Sequence, residues 1–271
     1  MRAAVIGVGS IGSYLVEGIG RGLAGPVELT GIAATPAGEA RLKELAHAAG
    51  CAWTTDPLSL ADGKPDLVVE AASQAAARAY AVPLLERGVD VMLMSVGALA
   101  DPAFLQEVTT VASRHGRRVH VPSGAIGGLD VLRAARVDGL AEVTLVTSKA
   151  PRALAGAPFF ETHPIDLAAI RERTVIFDGP AREAVRLFPA NVNVAAALSL
   201  AGLGADRTRM QVVADPALDR NVHEVVARGS FGELRLRVDN VPSPQNPKTS
   251  FLACLSGLAT LRRLADPIQV G

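Results

Sequence analysis

The chain has 271 residues, 49% of them hydrophobic, which predicts about two globular domains and excludes a disordered or fibrous protein. Lys plus Arg and Asp plus Glu number 27 each, so the net charge of zero gives no support for nucleic acid or an acidic membrane as partner. Aromatic residues make up 4%, too few for base-stacking platforms, and small polar substrates are favoured.

The first half of the chain alternates short apolar runs with helical patterns, as parallel βαβ units do. The predicted strands are residues 3–7, 27–33, 66–70, 89–94 and 118–121. The predicted helices are residues 11–21, 37–49, 74–87 and 102–115. Continuous apolar runs such as Leu67-Val68-Val69 are typical of strands that are buried on both faces. We therefore predict an α/β chain with a Rossmann dinucleotide-binding domain over residues 1–122.

The pattern changes in the second half, where residues 142–149 and 233–239 alternate apolar with polar side chains, as half-exposed antiparallel strands do. Further strands are predicted at 209–214 and 223–228, with an apolar helix starting near Asn191. The prolines of segment 241–247 argue against a strand, and a helical period resumes over 249–264. We predict an α/β substrate domain over residues 123–245 and a C-terminal segment, 246–271, whose helix returns to the first domain.

The two cysteines, Cys51 and Cys254, lie far apart and outside any Cys/His cluster. This usage indicates a reducing, cytoplasmic compartment and predicts no metal site. The most apolar stretch, residues 188–205, contains Pro189 and Gly202, so a buried helix is favoured over a membrane span.

A glycine-rich motif, GxGxxG, joins the first predicted strand to the first predicted helix. Gly7 permits the tight turn, Gly9 lets the backbone approach a pyrophosphate, and Gly12 allows close packing of helix on strand. The helix N-terminus then faces the anion. We predict that Gly7, Gly9, Ser10, Ile11 and Gly12 bind NAD or NADP.

The second predicted strand ends in Ala33-Ala34-Thr35-Pro36, without the acidic residue that usually holds the ribose hydroxyls of NAD. No carboxylate repels a 2′-phosphate there, and Thr35 can donate a hydrogen bond to it, so we predict that NADP is accepted. The alternative is that Glu28 or another side chain holds the ribose. The choice between NAD and NADP therefore stays open at this point.

Three polar stretches mark the second domain. The glycines of residues 123–130 allow close approach to a ligand or form a hinge. Asn191 and Asn193 interrupt an apolar helix, either as buried amides with partners or as caps. His223 lies in a polar run at the start of a strand, where it is either catalytic or structural.

These stretches resemble L-aspartate dehydrogenases over nearly the whole chain. Besides the glycine loop, the matching segments are SGAIGGLD (123–130), FPANVNVAAALSLAG (188–202), DPALDRNVHEV (215–225) and NVPSPQNPKTS (240–250). The resemblance implies a homodimer that oxidises L-aspartate to iminoaspartate with NAD or NADP. The imine is hydrolysed to oxaloacetate and ammonia or feeds pyridine nucleotide synthesis. The resemblance also implies nucleotide contacts by Ala125 and by Asn191 or Asn193, and an active-site role for His223.

The implied reaction needs a base, because only a neutral amine can donate electrons as the hydride leaves Cα. We predict that His223 takes the amine proton and then activates water for attack on the imine. The two substrate carboxylates require cations or backbone N–H groups. The candidates are Lys149 and Lys248, together with Asn246 and Thr249 at a predicted helix start. Either lysine can instead be a solvated surface charge.

Two other functions fit the same fold. One is a dihydrodipicolinate-reductase-like or semialdehyde-reducing enzyme, since a Rossmann domain followed by an α/β domain supports many chemistries. The other is a nucleotide-sensing protein without catalysis, against which the intact His223 argues.

Overall fold

The computed structural model describes residues 1–189 and 192–270, except for the side chains of Pro247 and Lys248. Contacts divide the chain into two compact units, the first formed by residues 1–122 with 253–271 and the second by residues 123–252. Each unit has its own hydrophobic core. The predicted C-terminal segment began at residue 246, whereas the chain joins the first unit only from residue 253.

The first unit contains a parallel sheet and the helices that connect its strands. The strands are β1 (Arg2–Ile6), β2 (Glu28–Ala33), β3 (Ala52–Thr54), β4 (Leu67–Glu70), β5 (Asp90–Leu93) and β6 (Val119–His120). The helices are α1 (Ser10–Gly20), α2 (Glu39–Ala49), α3 (Gln74–Glu86) and α4 (Pro102–His115), with short 3-10 turns at Pro36–Gly38, Pro57–Gly63 and Val96–Ala100. The strand order is β3-β2-β1-β4-β5-β6, and all pairings are parallel. The predicted Rossmann fold is confirmed.

Capping residues set the ends of these helices. The side chain of Ser73 accepts a hydrogen bond from the Ala76 N–H to start α3, and Asp101 does the same for α4 through Ala103. Gly116 ends α4 in the left-handed conformation that favours glycine. Because α3 and α4 start just beyond the carboxyl ends of β4 and β5, these caps fix where both connecting loops lie.

The strand order reverses at β1, which pairs with β2 on one side and with β4 on the other. Connections leave this point toward opposite faces of the sheet, so a crevice opens at the carboxyl ends of β1 and β4. The glycine-rich loop follows β1 directly, and it therefore lies at this crevice.

The second unit is built on a mixed five-stranded sheet. Its strands are β7 (Leu140–Lys149), β8 (Thr174–Pro180), β9 (Thr208–Ala214), β10 (Asn221–Gly229) and β11 (Gly232–Asn240), followed by a small hairpin of β12 (Pro242–Ser243) and β13 (Asn246–Ser250). Its helices are α5 (Leu129–Ala135), α6 (Phe159–Thr162), α7 (Ala181–Leu187) and α8 (Val192–Ala201), with 3-10 turns at Pro151–Leu154 and Leu167–Ala169. The order is β11-β10-β7-β9-β8, and only β7 with β9 is parallel.

One face of this mixed sheet carries the core of the second unit. Val143 and Leu145 of β7 and Val225 of β10 point into a cluster that includes Ala195 and Leu198 of α8. The alternation predicted for these strands follows, because successive residues of a strand point to opposite faces. We call the face that bears Val143 and Leu145 the inner face, and its opposite the outer face.

The segment before the last helix differs from the prediction. Residues 241–247 were expected to exclude a strand, yet β12 pairs with β13 across a tight turn at residues 244–245. Residues 246–249 were expected to start a helix, but they pair as a strand, and α9 (Phe251–Ala265) begins only at Phe251. The prolines of this segment are incompatible with a helix but not with a strand, because the turn at residues 244–245 brings β12 and β13 side by side.

Helix α9 packs on α1 within the first unit. A Cβ built on Gly18 would stand 2.6 Å from the Leu258 side chain, and one on Gly257 would stand 2.8 Å from Leu15. The two glycines therefore let the helices approach closely. Of the helices in the described part of the chain, none is long and apolar enough to cross a bilayer.

Candidate active site

The loop between β1 and α1 has the geometry that its glycines predict. Gly7 has φ +109°, and a Cβ there would stand 2.7 Å from the carbonyl oxygen of Ala71, just beyond β4. A Cβ on Gly12 would stand 2.0 Å from the Gly7 carbonyl oxygen. Neither position accepts a side chain without moving backbone, so Gly7 and Gly12 allow strand, loop and helix to meet.

The space in front of this loop suits a pyrophosphate. Gly9 is exposed, and a Cβ built on it meets nothing within 4 Å. The hydroxyl of Ser10, the first residue of α1, is buried and has no hydrogen-bond partner among the described residues. Ile11 packs against the core and fixes the start of the helix. Free backbone N–H groups, an unpartnered hydroxyl and open space together fit the phosphates of a dinucleotide.

Glu70 closes β4 as a buried carboxylate beside this loop. Its Oε1 accepts hydrogen bonds from the N–H groups of Ala72 (2.7 Å) and Ser73 (2.8 Å) and from the Ser95 hydroxyl (3.0 Å). Its Oε2 accepts from the Ser95 N–H at 3.1 Å. Burial raises the pKa of the Glu70 carboxyl, and the four hydrogen bonds act in the opposite direction. Glu70 thereby holds the loops after β4 and β5 together at the crevice.

The end of β2 carries no acidic side chain at the ribose position. Thr35 follows the strand, is exposed and starts a 3-10 turn. Glu28 begins β2 at the opposite end of the sheet, 3.9 Å from Arg2, so it does not replace the missing acid. Glu39, in the first turn of α2, forms an ion pair with Lys43 at 2.6 Å.

The second unit gathers polar side chains at the carboxyl end of β7, on the inner face. His223 of β10 pairs with Thr147 of β7, and continuing this register places Asn221 opposite Lys149. Asn221 pairs in turn with Asn240 of β11. Because residues two apart share a face, all five side chains belong to one patch, which we call the polar patch.

His223 is buried in this patch, with 4% of its surface exposed. Its Nδ1 lies 3.0 Å from the Thr147 hydroxyl, which is fully buried. Burial, together with the positive charge of Lys149, lowers the pKa of His223 to about 4. The imidazole is therefore neutral at physiological pH, since its charged form is disfavoured by both causes.

Lys149 is the last residue of β7 and is also buried, with 6% of its surface exposed. Burial lowers the pKa of its ammonium group to about 8. Its carbonyl oxygen accepts a hydrogen bond from the Asp215 N–H at 2.8 Å, which fixes the strand end. Among the described residues, no ion pair neutralises this ammonium group. Binding of an anion beside it would therefore be favourable.

Asn240 connects the polar patch to two other segments of the second unit. Its Nδ2 donates to the carbonyl oxygen of Ala125 at 3.2 Å, and its Oδ1 accepts from the Ser250 hydroxyl. Ala125 is buried within the glycine-rich stretch, where Gly124 has φ +66° and Gly128 φ +74°. One amide thus fixes the predicted nucleotide-contact loop against the end of β11.

The remaining predicted site residues are spread over the second unit. Asn193 is exposed, the second residue of α8, and is not the buried amide that the apolar pattern suggested. Asn246 and Thr249 lie in β13, so they offer no helix N-terminus to an anion. Asn191 and the side chain of Lys248 lie outside the described residues.

The described part of the chain contains no group of three or more His, Cys, Asp or Glu side chains that could hold a metal ion. Its cysteines, Cys51 and Cys254, are not paired in a disulfide.

Sequence reasoning missed four residues of these sites: Glu70, Thr147, Asn221 and Asn240. Asn221 had a signal, since it lies two residues before His223 in the same polar run. Glu70 had a signal, since a carboxylate at the end of an otherwise apolar buried run needs several donors. No feature of the sequence pointed to Thr147 or Asn240. Their proximity to His223 depends on the register of β7 and β11 with β10, which no local pattern specifies.

Fold and site together define an NAD(P)-dependent oxidoreductase with a Rossmann domain and a second sheet domain. The L-aspartate dehydrogenase of Methanosarcina barkeri is 44% identical over 275 aligned residues, covering 100% of this chain and 99% of that protein. The chain belongs to the L-aspartate dehydrogenase family.

Two family models and two further relatives support the same family membership. The family model of the aspartate dehydrogenase C-terminal domain matches residues 130–264, and that of the homoserine dehydrogenase NAD-binding domain matches residues 7–122. The L-aspartate dehydrogenase of Methanocella arvoryzae is 44% identical and covers 100% of this chain and 99% of its own length. The crystal structure of aspartate dehydrogenase from Thermotoga maritima matches with a TM-score of 0.74 at 30% identity, covering 100% of this chain and 99% of that one.

Proposed function

We propose that this protein oxidises L-aspartate to iminoaspartate with NAD or NADP, and that the imine is hydrolysed to oxaloacetate and ammonia. The observation that carries the proposal is the pair of buried side chains Lys149 and His223 on one sheet face. A buried ammonium group without an ion-pair partner among the described residues is costly unless a ligand brings the opposite charge. A dicarboxylic amino acid does so.

The first unit holds the cofactor. The N–H groups at the start of α1 and the Ser10 hydroxyl bind the pyrophosphate, Gly9 leaves room for it, and Thr35 lies at the ribose position. When bound, the nicotinamide accepts the hydride that leaves Cα of aspartate. Ala125, with Asn191 or Asn193, contributes the nucleotide contacts that the family resemblance implies.

The second unit binds and activates the substrate. Lys149 attracts a carboxylate of aspartate, while the amides of Asn221 and Asn240 lie in the same patch. Asn246, Lys248 and Thr249 follow in the β13 segment and complete the set of proposed substrate contacts. His223 is the catalytic residue of this patch and contacts the bound substrate.

A substrate panel tests this function. L-aspartate, L-glutamate, L-alanine and L-homoserine are each incubated with NAD and with NADP, and reduced cofactor is followed by absorbance. We expect turnover with L-aspartate and at least tenfold lower kcat/KM with the others. Alanine and homoserine lack the second carboxylate, and the side chain of glutamate is one methylene longer than that of aspartate. Preference for homoserine, or no turnover with any amino acid, contradicts the proposal.

We further infer that the protein is a cytoplasmic homodimer. Cys51 and Cys254 form no disulfide, which fits a reducing compartment. The outer face of the second sheet presents the half-buried side chains of Thr144, Val146 and Val226, which a second copy can cover. Light scattering should give the mass of a dimer, and Val146→Glu should give a monomer. A monomeric mass for the unchanged protein contradicts this arrangement.

A further inference from the structure

The hydroxyl of Thr147 is hydrogen-bonded to one ring nitrogen of His223 inside the polar patch. Thr147 is fully buried, and its Oγ1 lies 3.0 Å from His223 Nδ1. Among the described residues, this nitrogen is the one hydrogen-bond partner recorded for the hydroxyl. A buried hydroxyl without an acceptor is unfavourable, which favours the arrangement in which the Thr147 hydroxyl donates to Nδ1. In a neutral imidazole whose Nδ1 accepts, the proton is on Nε2.

The environment of His223 keeps the imidazole neutral. Burial lowers the pKa of His223, and the positive charge of Lys149 lowers it further, to about 4. Among the described residues, the neighbouring side chains of this face on β9, β10, β11 and α8 carry no charge: Val212, Ala214, Asn221, Val238, Asn240, Ala195 and Leu198. A neutral imidazole with Nε2–H can donate a hydrogen bond, but that nitrogen has no lone pair to accept a proton.

Lys149 is the other group of the polar patch that exchanges protons. Burial lowers its pKa to about 8, so a neutral amine is populated at mildly alkaline pH. It lies at the end of β7, two residues from Thr147 on the same face, and therefore beside His223. Among the described residues, no carboxylate forms an ion pair that would keep it protonated.

From this geometry we propose a division of roles: Thr147 holds His223 as the Nε2–H form, His223 donates a hydrogen bond to the substrate, and Lys149 is the base. The last two roles rest on the proposed function, whereas the first concerns the free protein. Thr147 is a positioning residue, because it acts through His223.

The neutral Nζ of Lys149 takes one proton from the ammonium group of aspartate and becomes an ammonium itself. The nitrogen lone pair then forms the C=N bond as Cα loses a hydride, that is, one hydrogen with two electrons, to the oxidised nicotinamide. Nε2–H of His223 donates a hydrogen bond to a carboxylate of the bound aspartate and takes no part in the proton transfer.

Nitrogen NMR of the free protein tests the role of Thr147 without any substrate. Protein labelled with ¹⁵N in its five histidines is recorded near pH 7.5, and the His223 signals are those absent from His223→Gln. We expect a protonated Nε2 and an unprotonated Nδ1 in the unchanged protein and in Thr147→Ser, and mixed forms in Thr147→Val. A protonated Nδ1 in the unchanged protein overturns the assignment.

Steady-state kinetics in the direction of aspartate oxidation tests the base. With Lys149 as base, kcat/KM should rise with pH and level off above about pH 8, because the protonated lysine of the free protein cannot accept a proton. Lys149→Arg keeps a long side chain at this position but stays protonated and loses the base, so kcat should fall by roughly 10²-fold or more with KM changed by less than about threefold. A raised KM with kcat retained would show that Lys149 only binds a carboxylate.

Should Lys149→Arg fail to fold, Lys149→Ala decides the same point. Ethylamine added to the assay should restore part of its activity, since a small amine can enter the space of the lost side chain and act as base. Absence of restoration in a folded protein that still binds substrate overturns the role of Lys149.

His223→Gln separates the donor from the base. Glutamine offers an N–H close to the position of Nε2–H, so we expect kcat above that of His223→Ala and an unchanged alkaline rise near pH 8. Loss of that rise in His223→Gln would make His223 the base and contradict the proposal. Thr208→Val, the same change at a fully buried threonine of β9 whose hydroxyl has no partner among the described residues, is the matched control for Thr147→Val. If no amino acid is oxidised, the proposed function fails, while the NMR result still decides the role of Thr147.

Discussion

Gly12 lies against Gly7 so closely that a methyl group on Gly12 would stand 2.0 Å from the Gly7 carbonyl oxygen. Gly9, between them in sequence, faces open space instead. The three glycines of one motif therefore have different roles: two allow the backbone to pack on itself, and one leaves room for a ligand. Substitutions at these positions should separate loss of folding from loss of cofactor binding.

Gly9→Val should remove dinucleotide binding and leave the fold intact, because the new side chain occupies the space that the pyrophosphate needs. Titration of NADH fluorescence and a thermal melt on the same preparation measure both effects. Gly20→Val is the matched control, since a Cβ at Gly20 also meets nothing within 4 Å. Normal cofactor affinity in Gly9→Val would contradict the assignment of the loop.

NADP should support oxidation at a rate comparable to NAD, because neither Thr35 nor the paired Glu39 places a free carboxylate at the ribose position. Thr35→Asp should lower kcat/KM for NADP by roughly tenfold or more and leave NAD nearly unaffected. Thr35→Ser serves as the control that retains the hydroxyl. Rejection of NADP by the unchanged protein would mean that another side chain discriminates between the cofactors.

Glu70→Gln should weaken cofactor binding without removing a cofactor contact. The amide keeps the shape of the carboxylate but points a donor at N–H groups of the two loops, so the loops at the crevice lose their common acceptor. We expect the dissociation constant for NADH to rise roughly tenfold, equivalent to about 1.4 kcal/mol. Glu86→Gln, at the exposed end of α3, is the control. Unchanged affinity with a lowered Tm would assign Glu70 a purely structural role.

His223→Ala should lower kcat by roughly 10²- to 10⁴-fold with little change in cofactor affinity, because the pyrophosphate and ribose positions belong to the first unit. kcat, NADPH binding and thermal stability are compared on one preparation with those of His115→Ala, an exposed histidine of α4. A lower Tm with preserved kcat in the folded fraction would make His223 structural.

The sequence predicted those parts of the fold that depend on local pattern. Helix α4 matches its prediction at both ends, because Asp101-Pro102 starts it and Gly116 ends it. Strands β3 and β8 were missed: Ala52–Thr54 is three residues long, and Thr174–Pro180 ends in glycine and proline. Their strand character comes from pairing with β2 and β9, which is a tertiary effect.

In the candidate site, too, the features that depend on local sequence were predicted and those that depend on strand pairing were not. The glycine loop was recognised because each glycine answers a backbone requirement that is local in sequence. The partners of His223 come from β7, some 75 residues earlier in the chain, and from β11. Burial of Lys149 could not be read from sequence either, since a lysine at a strand end is usually solvated.

The measurement that tests the account most directly follows oxidation of NADH and NADPH in the presence of oxaloacetate and ammonia. We predict that absorbance falls only when both oxaloacetate and ammonia are present, and that the product is L-aspartate by chiral chromatography. Oxidation with oxaloacetate alone, yielding malate, or no oxidation with both compounds present, would contradict the assignment of this protein as an aspartate dehydrogenase.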